Sequence, residues 1–327
     1  IIKLNTNENP YPPSPKVIKA IEQEVGKDLR LYPTPTMDEL KQSIANFYNV
    51  HKENVFVGNG SDEVLAFSFM AFFEPGKEIL FPEITYSFYP VYAKLFNITY
   101  KKVPLTKDFQ LDVVQFFNSE GGVIFPNPNA PTSIYLSLEK IEEIVINNRD
   151  KVVIVDEAYI DFAPKSAVSL IDKYDNLLVI QTFSKSRALA GLRVGFALGN
   201  KTLIDALIRM KDSFNSYPVD RLALAGAKAA IEDKAYFEEI TNKIIATRKW
   251  VTDKLEQLGF RVLPSATNFV FASHREYPAK DLYENLRNQN ILIRYFNQDP
   301  IDHYVRITIG TDEEMEKFIE AVEEIIK

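Results

Sequence analysis

The sequence predicts an α/β protein with a mostly parallel sheet flanked by helices, followed by a smaller α+β domain. Three observations carry that expectation. Short runs of Val, Ile, Leu and Phe alternate with helical patterns from Val55 to about Phe214. The runs "KVVIVD" and "NLLVIQT" are apolar residue after residue, as strands covered on both faces are. Beyond Phe237 the text changes to long charged helices and short strands.

The elements follow in order. "NTNENPYPP" reads as a Pro- and Asn-rich arm, and Ser14-Pro15 as an N-cap with Pro at the first helical position. Met37 to Tyr48 places Leu40, Ile44 and Phe47 at helical spacing. "NVFVGNGSDEVLAFSFMAFF", "EILFPEITYSFYPVYAKLF" and "GGVIFPNPNAPTSIYLSLEKIEEIV" each read strand, turn, helix. "KVVIVDEAYIDF" and "NLLVIQTFSKS" add two more strands. "TNFVFA", "ILIRYF" and "YVRITIG" are short strands of the second domain, and "DEEMEKFIEAVEEIIK" is its closing amphipathic helix. The expected units are an arm and helix over 1–30, a large domain over 31–236 and a small α+β domain over 237–327.

The bulk numbers narrow the function. A chain of 327 residues has room for two domains at roughly 100–200 residues each. A formal charge of −7 argues against a general binder of nucleic-acid backbones. The apolar run Val64 to Phe73 is too short to cross a bilayer and the opening residues carry no signal-peptide pattern, so a cytoplasmic protein without membrane contact is expected. The chain opens without Met, and a preceding segment is expected. With no Cys there is no disulfide, thiolate nucleophile or Fe–S cluster, and the three His, at positions 51, 274 and 303, show no metal-ligand spacing. Any catalysis therefore rests on Lys, Asp, Tyr, Arg or a bound cofactor.

In open parallel sheets ligands sit beyond the carboxyl ends of the strands. The polar residues at those ends are Ser61-Asp62, Tyr86, Asn127 with Asn129, Asp156 with Tyr159, and Ser184-Lys185. Lys185 is either a snorkelling surface cation or a desolvated amine suited to covalent carbonyl chemistry. Asp156 ends an apolar strand, where a carboxylate needs a cation or proton donor. Thr182, Ser184, Arg193 and the amides of "GNGSDE" at a helix start together make an anion cradle, though Gly58 and Gly60 alone satisfy a turn equally well. Arg187 reads as a peripheral charge.

"GNGSDE", "TYSFYPVYA", "NPNAPT", "VIVDEAYIDF" and "TFSKSRALAGLRVGF" stand in this order in a chain that resembles the fold type I pyridoxal-phosphate aminotransferases over nearly its whole length. The resemblance implies a seven-stranded sheet and pyridoxal 5′-phosphate held covalently by Lys185, which also moves the substrate proton. By the same carry-over Asp156 pairs with the pyridine nitrogen, Tyr159 donates to the phenolic oxygen and Tyr86 stacks on the ring. Ser61, Asp62, Thr182, Ser184 and Arg193 hold the phosphate. Tyr32, in "LRLYPTPT", reaches the cofactor phosphate of the partner subunit, which implies a homodimer and an arm packed on the small domain or the partner. Arg306 grips the substrate carboxylate, Arg294 lies near the substrate phosphate or the pocket entrance, and Tyr11 lines the substrate pocket.

Two departures stand out. Where the family reads Asn-Pro-Thr-Gly this chain reads Ala130-Pro131-Thr132-Ser133, so Asn129 is expected to supply the missing amide. The family Tyr-Asn pair appears as Phe214-Asn215. The implied reaction is ping-pong transamination between a phosphorylated amino alcohol and glutamate with 2-oxoglutarate. The alternatives are an aromatic or broad-range aminotransferase, a threonine-phosphate decarboxylase, and a non-catalytic binder of phosphorylated metabolites.

Overall fold

A computed structural model describes residues 1–327. The chain opens with a two-residue strand, β1 (Ile2–Lys3), before α1 (Pro15–Glu24) and α2 (Asp38–Tyr48). Ser14 caps α1 by accepting from the Val17 amide at 3.3 Å, with Pro15 at the first helical position, as the sequence anticipates. Such a cap contributes about 1 kcal/mol.

The large sheet is built from β2 (Val55–Gly58), β3 (Ile79–Pro82), β4 (Tyr100–Val103), β5 (Gly122–Pro126), β6 (Val153–Asp156), β7 (Leu177–Thr182) and β8 (Gly195–Gly199). Its spatial order is β2-β8-β7-β6-β5-β3-β4. Only β8 runs against its neighbours; the other six strands point one way. Side chains alternate between two cores. Val153 and Val155 pack with α2, α5 (Leu138–Ile146) and α7 (Arg221–Glu232), whereas Ile154 and Ile180 face α3 (Gly60–Phe72), α4 (Tyr89–Leu95) and α6 (Lys201–Phe214). A parallel strand buried on both faces has no polar face to show, which is why these strands read as unbroken apolar runs.

After α8 (Lys234–Gln257) come β9 (Phe260–Val262), β10 (Phe269–His274), α9 (Ala279–Asn288), β11 (Ile291–Leu292), β12 (Arg294–Tyr295), β13 (Val305–Thr308) and α10 (Asp312–Ile326). The second sheet is antiparallel, in the order β12-β13-β10-β9, with α8, α9 and α10 closing its own core around Leu282, Val305 and Phe318. "ILIRYF" does not form one strand. It breaks at Ile293 into β11, which pairs with β1, and β12, which pairs with β13.

Residues 1–30 serve both layers. β1 lies parallel to β11, and Thr308 donates its amide to the Leu4 carbonyl, so the first residues extend the small layer. Helix α1 packs instead on α7, burying Val17 in the large core. Gly226 lets the two helices close up, because a Cβ there would sit 2.7 Å from Leu192 and 3.1 Å from Ile21. Helix α8 is likewise continuous across position 237, and its first turns lie against the large layer, where Phe237 meets Phe47 edge-on at 6.0 Å.

Candidate active site

All six co-directional strands end on one edge of the large sheet, and β8 begins there. The loops at that edge enclose a cavity of about 220 Å³. Ser61, Asp62, Tyr86, Asp156, Tyr159, Thr182, Ser184, Lys185 and Arg193 all line it. Residues spread over more than a hundred positions thus converge as the strand-end rule requires.

One end is built for an anion. Gly60 opens α3 at φ +76°, and a Cβ on it would lie 2.5 Å from Arg193 Nη2. A Cβ on Gly195 would lie 2.3 Å from the Ser61 nitrogen. The two glycines therefore let the start of β8 and the start of α3 approach backbone to backbone, leaving helix N–H groups and a guanidinium on one small concavity. Arg193 itself takes the left-handed conformation (φ 53°, ψ 59°), at a cost of about 1–2 kcal/mol for a residue with a Cβ. That turn aims its guanidinium at Asp62 Oδ2 (3.1 Å) and Ser184 Oγ (3.4 Å). Thr182 accepts from the Ser184 amide at 3.1 Å and fixes the loop.

The other end is built for a cation or a proton donor. Asp156 is 5% exposed, and no basic side chain pairs with it. Its two oxygens accept from the Tyr89 hydroxyl at 2.8 Å and from the Ala158 amide at 3.3 Å. Burial pushes the carboxyl up to about 6 against those two donors, and Asp62 adds to the rise. A buried carboxylate lacking a cation and a glycine-lined anion cradle at the far end of one cavity together fit the two poles of pyridoxal phosphate.

Between them, Lys185 Nζ lies 5.6 Å from the Tyr159 ring centroid. Tyr159 accepts a 2.8 Å hydrogen bond from Asn7 Nδ2, which leaves its own O–H to donate into the cavity. Tyr86 donates to Asp62 Oδ1 at 2.7 Å; burial first, then Asp62, pushes its phenol well above the usual range and keeps it a donor.

The sequence points to the Asn-rich arm only through Tyr11 and its packing, and does not disclose what Thr6, Asn7, Glu8 and Asn9 contribute. Asn9 Nδ2 donates to the carbonyls of Lys185 (3.0 Å) and Ser186 (3.1 Å), pinning the backbone of the lysine. Thr6 and Glu8 line the cavity, Glu8 accepting from Lys3 at 2.7 Å. Tyr89 was missed as well. The available signal was the spacing Tyr86, Tyr89, Tyr92, which puts three hydroxyls along one side of α4 and its lead-in turn.

Asn129 requires a correction. It does not reach the cavity, because its amide donates to the Ile84 carbonyl at 3.0 Å and to Thr132 Oγ1 at 2.8 Å; Ala130 occupies the cavity wall instead. Arg187 is not peripheral either. It is 6% exposed, its guanidinium lies 3.7 Å from the Phe237 ring centroid and 4.7 Å from that of Phe47, and Nη1 donates to the Ala230 carbonyl at 2.8 Å. A cation stacked between two rings and tied to a helix carbonyl is a packing element.

The remaining expected residues stand outside this cavity. Arg294 and Arg306 are cross-strand neighbours on β12 and β13, with no acidic side chain bridging them. Arg306 donates to the Asn5 carbonyl at 2.9 Å, its guanidinium lies within 5.7 Å of Phe269 and Phe296, and its Nε has no partner. Desolvation, then Arg294, pulls its pKa down against an opposing effect of Tyr159. Tyr11 lies under Lys243 Nζ at 5.5 Å. Tyr32 is 79% exposed and stacks on Tyr217 at 4.7 Å.

Fold and site define a pyridoxal-phosphate-dependent transferase of the α/β type. Residues 1–322 match the family model of aminotransferase class I and II. Histidinol-phosphate aminotransferase 1 of Oceanobacillus iheyensis is 58% identical over 327 residues, covering 100% of this chain and 92% of that one. Among solved structures, the histidinol-phosphate aminotransferase of Clostridium acetobutylicum aligns at TM-score 0.91 and 26% identity, over 100% of this chain and 99% of that one. The enzyme of Sinorhizobium meliloti in complex with pyridoxal-5′-phosphate aligns at 0.90 and 27%, over 99% and 90%. The chain belongs to the class I and II aminotransferases.

Proposed function

We propose that the protein moves an amino group between L-histidinol phosphate and 2-oxoglutarate, yielding imidazole acetol phosphate and L-glutamate, the step of histidine biosynthesis performed by enzymes of this name. Identity of 58% over 327 residues to a histidinol-phosphate aminotransferase carries the reading. The facing pair Arg294 and Arg306 supports it, since two adjacent cations without an acidic bridge suit phosphate and carboxylate ligands.

When bound, pyridoxal phosphate supplies an electron sink that acidifies the substrate Cα–H bond. Lys185 would anchor the cofactor through Nζ and, once freed, would serve as the general base and then the general acid that carries the substrate Cα proton. Asp156, 5% exposed, would hold the ring nitrogen by opposite charge, and Tyr159 would donate to the phenolic oxygen. Tyr86, which lines the cavity, would stack on the ring. Arg193, Thr182, Ser184 and the amides of Ser61 and Asp62 hold the phosphate. Arg306 grips the glutamate carboxylate, and Arg294 draws the phosphate of the other substrate to the entrance, where Tyr11 adds an edge. Tyr32, exposed here, completes the cavity of a second copy in a homodimer.

Half-reactions test this. The purified enzyme loaded with pyridoxal phosphate is mixed separately with L-histidinol phosphate, phenylalanine, tyrosine and threonine phosphate, and conversion to the pyridoxamine form is followed by absorbance. Fast conversion with L-histidinol phosphate is expected. Conversion by the aromatic amino acids alone, or carbon dioxide release from threonine phosphate, overturns the substrate assignment.

A further inference from the structure

Tyr89 sits at the start of α4 with its side chain fully buried against Phe69, Phe81 and Tyr86. Phenylalanine would fill that apolar space equally well, so the hydroxyl calls for a separate explanation. It donates at 2.8 Å to Asp156 Oδ2, across the large sheet's end. The tyrosines three positions before and after it act elsewhere: Tyr86 donates to the Asp62 side chain and Tyr92 to the Asp62 carbonyl. Tyr89 is the one side chain that donates to Asp156; the Ala158 amide is the remaining donor.

We propose that Tyr89 is a positioning residue for cofactor binding, its hydroxyl holding the Asp156 carboxylate charged and oriented toward the cofactor ring nitrogen. The inference rests on the assignment of Asp156 to that nitrogen. A donor at hydrogen-bond distance favours the carboxylate over the carboxylic acid. The groups facing Asp156 leave few substitutes. Asp62 on α3 opposes its charge, Tyr86 donates to Asp62, the Tyr159 O–H is assigned to the cofactor's phenolic oxygen, and Lys185 is reserved for the cofactor aldehyde. Without Tyr89 the proton shared between ring nitrogen and carboxyl shifts toward the carboxyl, and the pair changes from an ion pair to a neutral hydrogen bond. No electron transfer is involved.

The test measures pyridoxal phosphate affinity against pH for the wild type, Tyr89→Phe, Tyr92→Phe and Asp156→Asn. In Tyr89→Phe the dissociation constant at neutral pH rises roughly 3- to 10-fold, as the loss of one hydrogen bond of ordinary net strength implies. The pH at which affinity falls on acidification moves up by about one unit. In the amino-transfer assay kcat falls and KM stays within about twofold, because substrate contacts are untouched. Tyr92→Phe, which removes a hydroxyl from the same helix, keeps the wild-type pH midpoint. Replacing Tyr89 with 3-fluorotyrosine, a stronger donor of nearly equal size, moves the midpoint the opposite way and serves if the Phe variant folds poorly. An unmoved midpoint in Tyr89→Phe, alongside a weakened Asp156→Asn, overturns the role of Tyr89 alone. Wild-type affinity and pH profile in Asp156→Asn overturn the assignment of Asp156 itself, and the inference with it.

Discussion

Arg294 and Arg306 stand directly opposite each other on β12 and β13, two guanidiniums in one cross-strand pair with no carboxylate between them. Like charges in that arrangement destabilise a sheet by a few tenths of a kcal/mol or more, so the pair is strained until an anion arrives. Arg294→Ala should therefore raise the thermal midpoint slightly in phosphate-free buffer while weakening histidinol phosphate. Arg306→Lys keeps the charge but loses the planar two-pronged grip, and KM for glutamate should rise at least about 10-fold with a smaller fall in kcat. Steady-state kinetics on both variants check this.

Lys185→Ala should abolish transamination by at least about 10³-fold, since it removes both the covalent anchor and the proton carrier. Borohydride treatment followed by peptide mass analysis should place the reduced cofactor on Lys185 in the wild type and on no residue in the variant.

Gly195→Ala brings a methyl group to within 2.3 Å of the Ser61 nitrogen, which is backbone and cannot swing aside. The start of α3 must move, and the anion cradle opens. Pyridoxal phosphate affinity should drop at least about 10-fold, and more than pyridoxal affinity does, a comparison that isolates the phosphate end.

Glu157, next to Asp156 but on the other side of β6, is 1% exposed and accepts from Ser166 Oγ (2.5 Å), the Ala167 amide (2.7 Å) and Gln181 Nε2 (2.9 Å). Burial outweighs those donors and pushes its carboxyl up to about 8. A carboxyl whose folded-state pKa lies above its unfolded value adds stability below the unfolded value, and that stability is lost as pH rises through the folded one. The cofactor-free protein should thus lose up to about 1.4 kcal/mol per pH unit from this group between the normal carboxyl range and pH 8. Urea midpoints across pH 5–9 measure the slope, and Glu157→Gln should flatten it.

Arg187→Ala should cost about 2–4 kcal/mol, because it empties the space between Phe47 and Phe237 and frees the Ala230 carbonyl. Arg187→Met fills the same space without a charge and should cost much less, as buried cations replaced by apolar groups of similar size often do. Denaturant unfolding of the two variants distinguishes packing from charge.

What the sequence disclosed and what it hid follow from range. The strand runs and helix caps were legible because Val153 to Val155, or Ser14 with Pro15, state their environment within a few residues. The strand-end rule then gathered Ser61, Asp156 and Lys185 without any contact being known. Asn7, Asn9 and Tyr89 were hidden because their partners lie 152, 176 and 67 positions away, and nothing local distinguishes an arm asparagine that reaches the site from one that merely turns. Asn129 was misplaced for the converse reason. Its neighbours Ile84 and Thr132 offer acceptors that capture the amide, and a one-letter shift in a motif does not reveal which of two adjacent residues faces inward. Arg187 was misread because its two aromatic partners come from helices on either side of it in the chain.

The amide of Asn7 donates to the hydroxyl of Thr308 at 3.0 Å, and the side chain of Asn7 sets the Tyr159 hydroxyl. The first contact joins positions 301 residues apart, the second positions 152 apart. During synthesis from the N-terminus, the large sheet can close around Asp156 and Lys185 long before Thr308 leaves the ribosome, yet the orientation of Tyr159 waits for it. The cavity is accordingly the last part of the molecule to mature, and a nascent chain stopped short of β13 would carry the lysine without a finished place for its cofactor.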